Sequence, residues 1–100
     1  MIETYQGDTK SITVILKSNG TQINLVSGDS ITLTVKKSNS AVKYIEKIVT
    51  SFTNGQAIIN LTTTDTNIEV GNYVYDIQYD KQNGERYTII SDLFVIKRNV

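Results

Sequence analysis

A period of two runs through most of this 100-residue chain, and not one proline interrupts it. Ile12, Val14 and Leu16 alternate with Thr13, Ile15 and Lys17, and Ile31, Leu33 and Val35 alternate with Thr32, Thr34 and Lys36. Further on, Tyr73, Tyr75, Ile77 and Tyr79 fall on one strand face and Val74, Asp76, Gln78 and Asp80 on the other. Successive side chains of a strand point to opposite faces, so each stretch reads as a strand with one face on a core and one in water. The Thr, Ile, Val and Tyr that dominate them suit a pleated, half-buried surface.

Turn signals separate these runs. Ser18-Asn19-Gly20, Ser27-Gly28-Asp29, Thr53-Asn54-Gly55 and Lys81-Gln82-Asn83-Gly84 all read as turns, and Asn-Gly is the strongest short hairpin signal. Between them the pattern predicts strands near Ile2–Tyr5, Lys10–Lys17, Ser30–Lys37, Ala41–Ser51, Gln56–Thr62, Asn72–Asp80 and Glu85–Lys97. The last is too long for one straight strand. Its apolar phase shifts from Tyr87 and Ile89 towards Ile90, Phe94 and Ile96, which predicts a bend or bulge near Ser91-Asp92. Thr63-Thr64-Asp65-Thr66-Asn67-Ile68-Glu69-Val70-Gly71 departs from the pattern, with a capping residue, an acidic first turn and a terminal glycine, and predicts one helical turn passing between two sheets. The expected fold is an all-β, Ig-like antiparallel β-sandwich of about seven strands with one short helical turn, a single domain over residues 1–100.

Composition narrows the chemistry. Cysteine is absent, which removes disulfides, thiolate metal sites and cysteine nucleophiles. Histidine is absent as well, and with it the commonest general base and metal ligand. Tryptophan, a favoured stacking platform of sugar sites, is also missing. Ten basic residues balance ten acidic ones, so no overall field draws in nucleic acid or an anionic membrane. Met1 to Asp8 lacks the basic start and apolar stretch of a signal peptide, and no apolar run approaches the ~20 residues of a membrane-spanning helix. A chain made in the cytoplasm, with no cofactor, is expected.

The remaining candidate sites reduce to ordinary strand chemistry. Asp76, Gln78 and Asp80 share a face, but the two carboxylates lie ~13 Å apart along a strand, too far to share one calcium ion. Carboxylate pairs without a burying cleft do not make an acid–base site, and Ser30, Ser91 and the lysines have no triad context. Lys36-Lys37, Lys43, Lys47 and Lys97-Arg98 are the basic clusters. Lysine on exposed strand faces also guards against edge aggregation. Tyr73, Tyr75 and Tyr79 read as core with hydroxyls reaching the rim, Tyr44 and Tyr87 as surface aromatics, and Tyr5 as the anchor of an N-terminal strand. No enzymatic activity is expected.

Four stretches, in order, resemble the N-terminal Ig-like domains of bacteriophage baseplate-upper proteins (BppU-type) and related tail modules. Gln6-Gly7-Asp8-Thr9-Lys10-Ser11-Ile12-Thr13-Val14 is similar to their opening, and Asn19-Gly20-Thr21-Gln22-Ile23-Asn24-Leu25 to the turn that follows. Thr63-Asp65-Thr66 with Gly71-Asn72-Tyr73-Val74-Tyr75-Asp76-Ile77, and then Asn83-Gly84-Glu85-Arg86-Tyr87-Thr88, resemble the later stretches. The resemblance implies a non-enzymatic structural part of a phage virion (tail, baseplate or neck), attached to other phage structural proteins. It also implies a homo-oligomer, with a trimer favoured. In that family the module usually heads a longer receptor-binding or fibre protein, so this chain reads as an anchoring domain or a small free-standing virion protein.

The expected mode of action is surface complementarity, with a terminal strand Met1–Tyr5 able to bridge to a partner. The expected protein contacts are Ile2, Tyr5, Tyr44, Phe52 and Tyr87, together with the outward faces around Val74 and Ile15. The competing reading is an Ig-like binding module for a host-surface glycan or protein, which needs an exposed aromatic cluster. No nucleic-acid or membrane partner is expected.

Overall fold

The computed structural model describes residues 1–99. Its elements are β1 (Ile2–Tyr5), β2 (Lys10–Val14), β3 (Leu16–Ser18), β4 (Thr21–Ile23), β5 (Ser30–Lys36), β6 (Lys43–Val49), β7 (Ala57–Leu61), α1 (Thr63–Thr66), β8 (Gly71–Asp80) and β9 (Arg86–Lys97). One sheet runs β1-β9-β8-β5-β6, and the facing layer is made of the pair β2-β7 and the hairpin β3-β4. The order β9-β8-β5-β6 is the G-F-C-C′ order of immunoglobulin-type sandwiches, and β2-β7 is their B-E pair. The fold is the all-β sandwich that the alternation predicts.

The inward sets meet as expected. Ile31, Leu33 and Val35 of β5 and Tyr73, Tyr75 and Ile77 of β8 form a single buried core with Val14, Leu16, Ala57, Ile59 and Leu61 of the facing layer. Leu25, Ile45 of β6 and Phe94 and Ile96 of β9 complete it. Tyr75 and Phe94 meet edge to face at 6.4 Å, a geometry favoured by the ring quadrupoles. The Asn-Gly turns also form: Asn19 and Gly20, then Asn54 and Gly55, take positive φ in succession, the type I′ geometry that matches strand twist.

Between β7 and β8 the chain crosses from one layer to the other through α1. Thr62 caps it, accepting the Asp65 N–H at 3.2 Å while the Asp65 carboxylate accepts the Thr62 N–H at 2.8 Å. That is a reciprocal capping box. The fully buried Thr66 donates its hydroxyl to the Asp8 carbonyl at 2.6 Å, tying the turn after β1 to the crossover. At the foot of β8 the Tyr73 hydroxyl donates to the Glu69 carbonyl at 2.6 Å, the tyrosine corner of immunoglobulin-type domains.

Four details differ from the sequence reading. There are nine strands, because Lys10–Lys17 divides at Ile15 and a short β4 pairs with its second half. The division leaves the side-chain phase intact, with Val14 and Leu16 both buried. The sandwich is not wholly antiparallel: β1 runs parallel to β9, with Ile2 beside Phe94 and Tyr5 beside Lys97. The helical turn ends at Asn67, not at Gly71, which opens β8. The bulge in β9 falls at Ile89, because Ile77 pairs with Ile90 and Gln78 with Thr88. One extra residue there places both Tyr87 and Ile90 on the inner face, which accounts for the phase shift.

Candidate protein-binding groove

The two layers do not cover each other completely. β1 pairs with β9 only from Phe94 onward, so the outer edge of β9 from Arg86 to Leu93 has no strand beside it among the described residues. All eight of these residues are exposed. Across from them β2, paired among the described residues only with β7, presents the edge of the facing layer. Between these two edges runs an apolar groove.

One part of the groove, about 390 Å³, is lined by Ile15, Leu16, Ile23, Tyr79, Tyr87 and Ile89, with Lys17 and Lys81 at its rim. The adjoining part, about 370 Å³, lies among Ile2, Ile12, Tyr75, Ile77, Ile89 and Ile90. Ile15, Ile23, Tyr87, Ile89 and Ile90 are each about two-fifths to half exposed, from 39% to 48%. Isolated exposed apolar residues are commonplace, whereas these five adjoin one another along the groove.

Charges frame the groove at its ends. At one end the Met1 ammonium lies 2.8 Å from Asp92 and holds that carboxyl below its ordinary range, with the Leu93 N–H as a second donor. At the other end Tyr87 donates its hydroxyl to Glu85, which lowers the carboxyl and raises the phenol. Lys81 stands 4.0 Å from Glu85, and Lys17 makes no ion pair among the described residues.

The five expected contact residues are dispersed. Ile2 and Tyr87 lie in the groove, at its two ends. Tyr5 is exposed on the outer face, with the Lys97 ammonium 5.9 Å from its ring. Tyr44 sits at the tyrosine corner, edge to face with Tyr73 at 5.3 Å and beneath Lys37. Phe52 is only partly exposed and packs on the core beside Leu25 in a separate shallow pocket. Val74 faces outward from the large sheet whereas Ile15 lines the groove, so these two do not form one surface.

Sequence reasoning missed Ile23, Ile89 and Ile90 as surface residues. Their only signal was that Ile89-Ile90 breaks the alternation where an extra residue enters the strand. Asp76 and Asp80 do share a face, and Asp80 is taken up by Arg86 at 2.7 Å and by Gln78. Among the described residues no group of three acidic side chains is placed to hold a metal ion. No helix of the described residues is long and apolar enough to cross a membrane. No family model, curated protein or solved structure matches the chain.

Proposed function

We propose that this protein is a non-enzymatic structural module of a phage virion, belonging to a tail, baseplate or neck, that works by protein–protein contact. The observation that carries protein–protein contact is the groove: an immunoglobulin-type sandwich left open along one side, with an apolar floor between two strand edges unpaired among the described residues. The motif resemblance adds to it. The quoted stretches occupy the β1–β2 turn, the β3–β4 hairpin, the tyrosine-corner strand and the β8–β9 connection, the positions that define the sandwich. The partners are other phage structural proteins, and a homo-oligomer, with a trimer favoured, suits parts repeated with closed symmetry.

Mass spectrometry of purified particles, with immunogold labelling by an antiserum to the domain, tests the reading. Tail or baseplate labelling is expected, and absence from purified particles overturns it. Light scattering over a range of concentrations tests the trimer. Deleting Met1–Tyr5 should weaken assembly while the circular-dichroism spectrum stays β-rich, and unchanged assembly would sink a bridging role for β1.

A glycan-binding module would need clustered exposed aromatics. Tyr5, Tyr44 and Tyr87 stand on three separate surfaces, which favours the structural reading.

A further inference from the structure

We propose that the groove accepts an extended segment of a partner protein, which adds to β9 between Arg86 and Leu93 as a further strand and places a carboxylate against Lys17 and Lys81. The inference deepens the reading above, since it gives the contact by which such a module engages its neighbour.

The backbone carries the first part of the argument. The Gln6 N–H donates to the Lys97 carbonyl at 2.9 Å, so Lys97 turns its main chain toward β1. By the period of a strand, Val95, Leu93 and Ser91 turn theirs to the same side. Beyond Met1, whose ammonium lies against Asp92 at 2.8 Å, nothing among the described residues stands beside this edge of β9, and Leu93 satisfies its N–H on the neighbouring Asp92 carboxylate at 2.8 Å. An open strand edge is a template for another chain, and proteins that do not use one guard it with charge. The opposite edge of the sheet is so guarded, by Lys43, Glu46 and the inward-pointing Lys47 of β6. From Tyr87 to Ser91 the β9 edge carries no charge at all.

Shape and charge give the occupant. The open stretch is eight residues, ~26 Å of strand. Alternate side chains of an added strand would enter the apolar floor of Ile15, Ile23, Tyr87, Ile89 and Ile90. The exposed apolar strip is on the order of a few hundred Å², well short of the ~800 Å² each partner gives to a standard interface. It therefore suits a peptide segment, whose main-chain hydrogen bonds supply the rest, better than a second whole domain. Lys17, free of ion pairs among the described residues, and Lys81 select an acidic flank at the Tyr87 end.

The test uses the intact protein and synthetic eight-residue peptides with Val at alternate positions, Thr between them and two Asp at one terminus. One peptide carries the Asp pair at its N-terminus and a second at its C-terminus, so that both strand directions are tested. Binding on the order of tens of micromolar is expected, with amide shifts in the NMR spectrum confined to residues 86–93, the neighbouring Tyr79–Lys81 stretch and the facing β2–β4 segment. Methylating the peptide nitrogens that face β9 should cost about tenfold or more, as should Ile89→Lys, its fold checked by circular dichroism. The K17E/K81E double variant should prefer a Lys-flanked peptide. The proposal is overturned by no binding at millimolar peptide, by indifference to N-methylation, or by shifts elsewhere. It is equally overturned by a stable dimer of this chain that Ile89→Lys dissociates. Peptide failure leaves virion membership standing, and absence from particles leaves the groove's chemistry standing.

Discussion

The Tyr73 hydroxyl and the Glu69 carbonyl lie 2.6 Å apart, four residues along the chain, and their hydrogen bond folds the end of the crossover onto the start of β8. Tyr73 is otherwise fully buried, so its phenol has one polar partner and no access to bulk water. Tyr73→Phe keeps the ring packing against Tyr44 and leaves that carbonyl unpaired. A loss of about 1 kcal/mol is expected, seen as a fall in Tm of roughly 4–8 °C. A fall of less than one degree would mean that the corner does not stabilise this fold.

Lys47 lies opposite the buried Leu33 on the inner face of an edge strand, and its ammonium reaches the Asp65 carboxylate of α1 at 2.7 Å. Partial burial works to raise the Asp65 pKa, but the hydrogen bonds from Lys47 and from the Thr62 N–H and hydroxyl outweigh it and hold the carboxyl low. A carboxyl held low when folded stabilises above its unfolded pKa, and that contribution is lost as pH falls through the folded value. Asp65→Asn should therefore cost about 0.5–2 kcal/mol at neutral pH. Urea midpoints of the two proteins should converge below about pH 4. Parallel curves down to acid would contradict the assigned role.

Asp29 is a buried carboxylate that holds two loops together. It accepts from the Val26 N–H at 3.1 Å and the Gln82 N–H at 3.0 Å, with the Tyr79 hydroxyl at 3.4 Å. Asp29→Ala strands those donors and should cost about 1–3 kcal/mol in chemical denaturation. Hydrogen exchange at Gln82 should accelerate with it, and an unchanged exchange rate would remove Asp29 as the link.

Gly55 and Gly84 both sit at positive φ, yet only one is crowded. A Cβ at Gly55 would lie 2.4 Å from Asn24 Oδ1 and 2.8 Å from its Cβ, whereas one at Gly84 meets nothing within 4 Å. Gly84→Ala should cost about 1 kcal/mol, the backbone preference alone. Gly55→Ala should cost clearly more in thermal melts, and equal costs would show that Asn24 moves aside freely.

The strands, their inward faces and the Asn-Gly hairpins were legible because each is written within a few neighbouring residues. Val14 and Leu16 show the limit: their alternation is unbroken, so nothing local reveals that one belongs to β2 and the other to a separate hairpin. The parallel pairing of Ile2 with Phe94 joins opposite ends of the chain and leaves no trace in either segment. Tyr87, Ile89 and Ile90 carry the apolar signature of core residues, and the short reach of β1 together with the incomplete facing layer leaves them uncovered. Tyr44 and Tyr87 are surface aromatics, as the sequence predicts, but their separation across the molecule is a property of the fold alone.

The parallel neighbours β1 and β9 give the domain a mechanical character. A pull applied at Met1 and at Asn99 draws the two strands along their own length in opposite directions. The rungs between Ile2–Tyr5 and Phe94–Lys97 are then loaded together in shear, not opened one at a time from an end. Lys97 bound to Glu3 at 2.7 Å and the Gln6 N–H on the Lys97 carbonyl bear on the same joint. Resistance to force is set by the unfolding barrier, not by overall stability, so this short clasp is the joint that a pull along the line from Met1 to Asn99 must break.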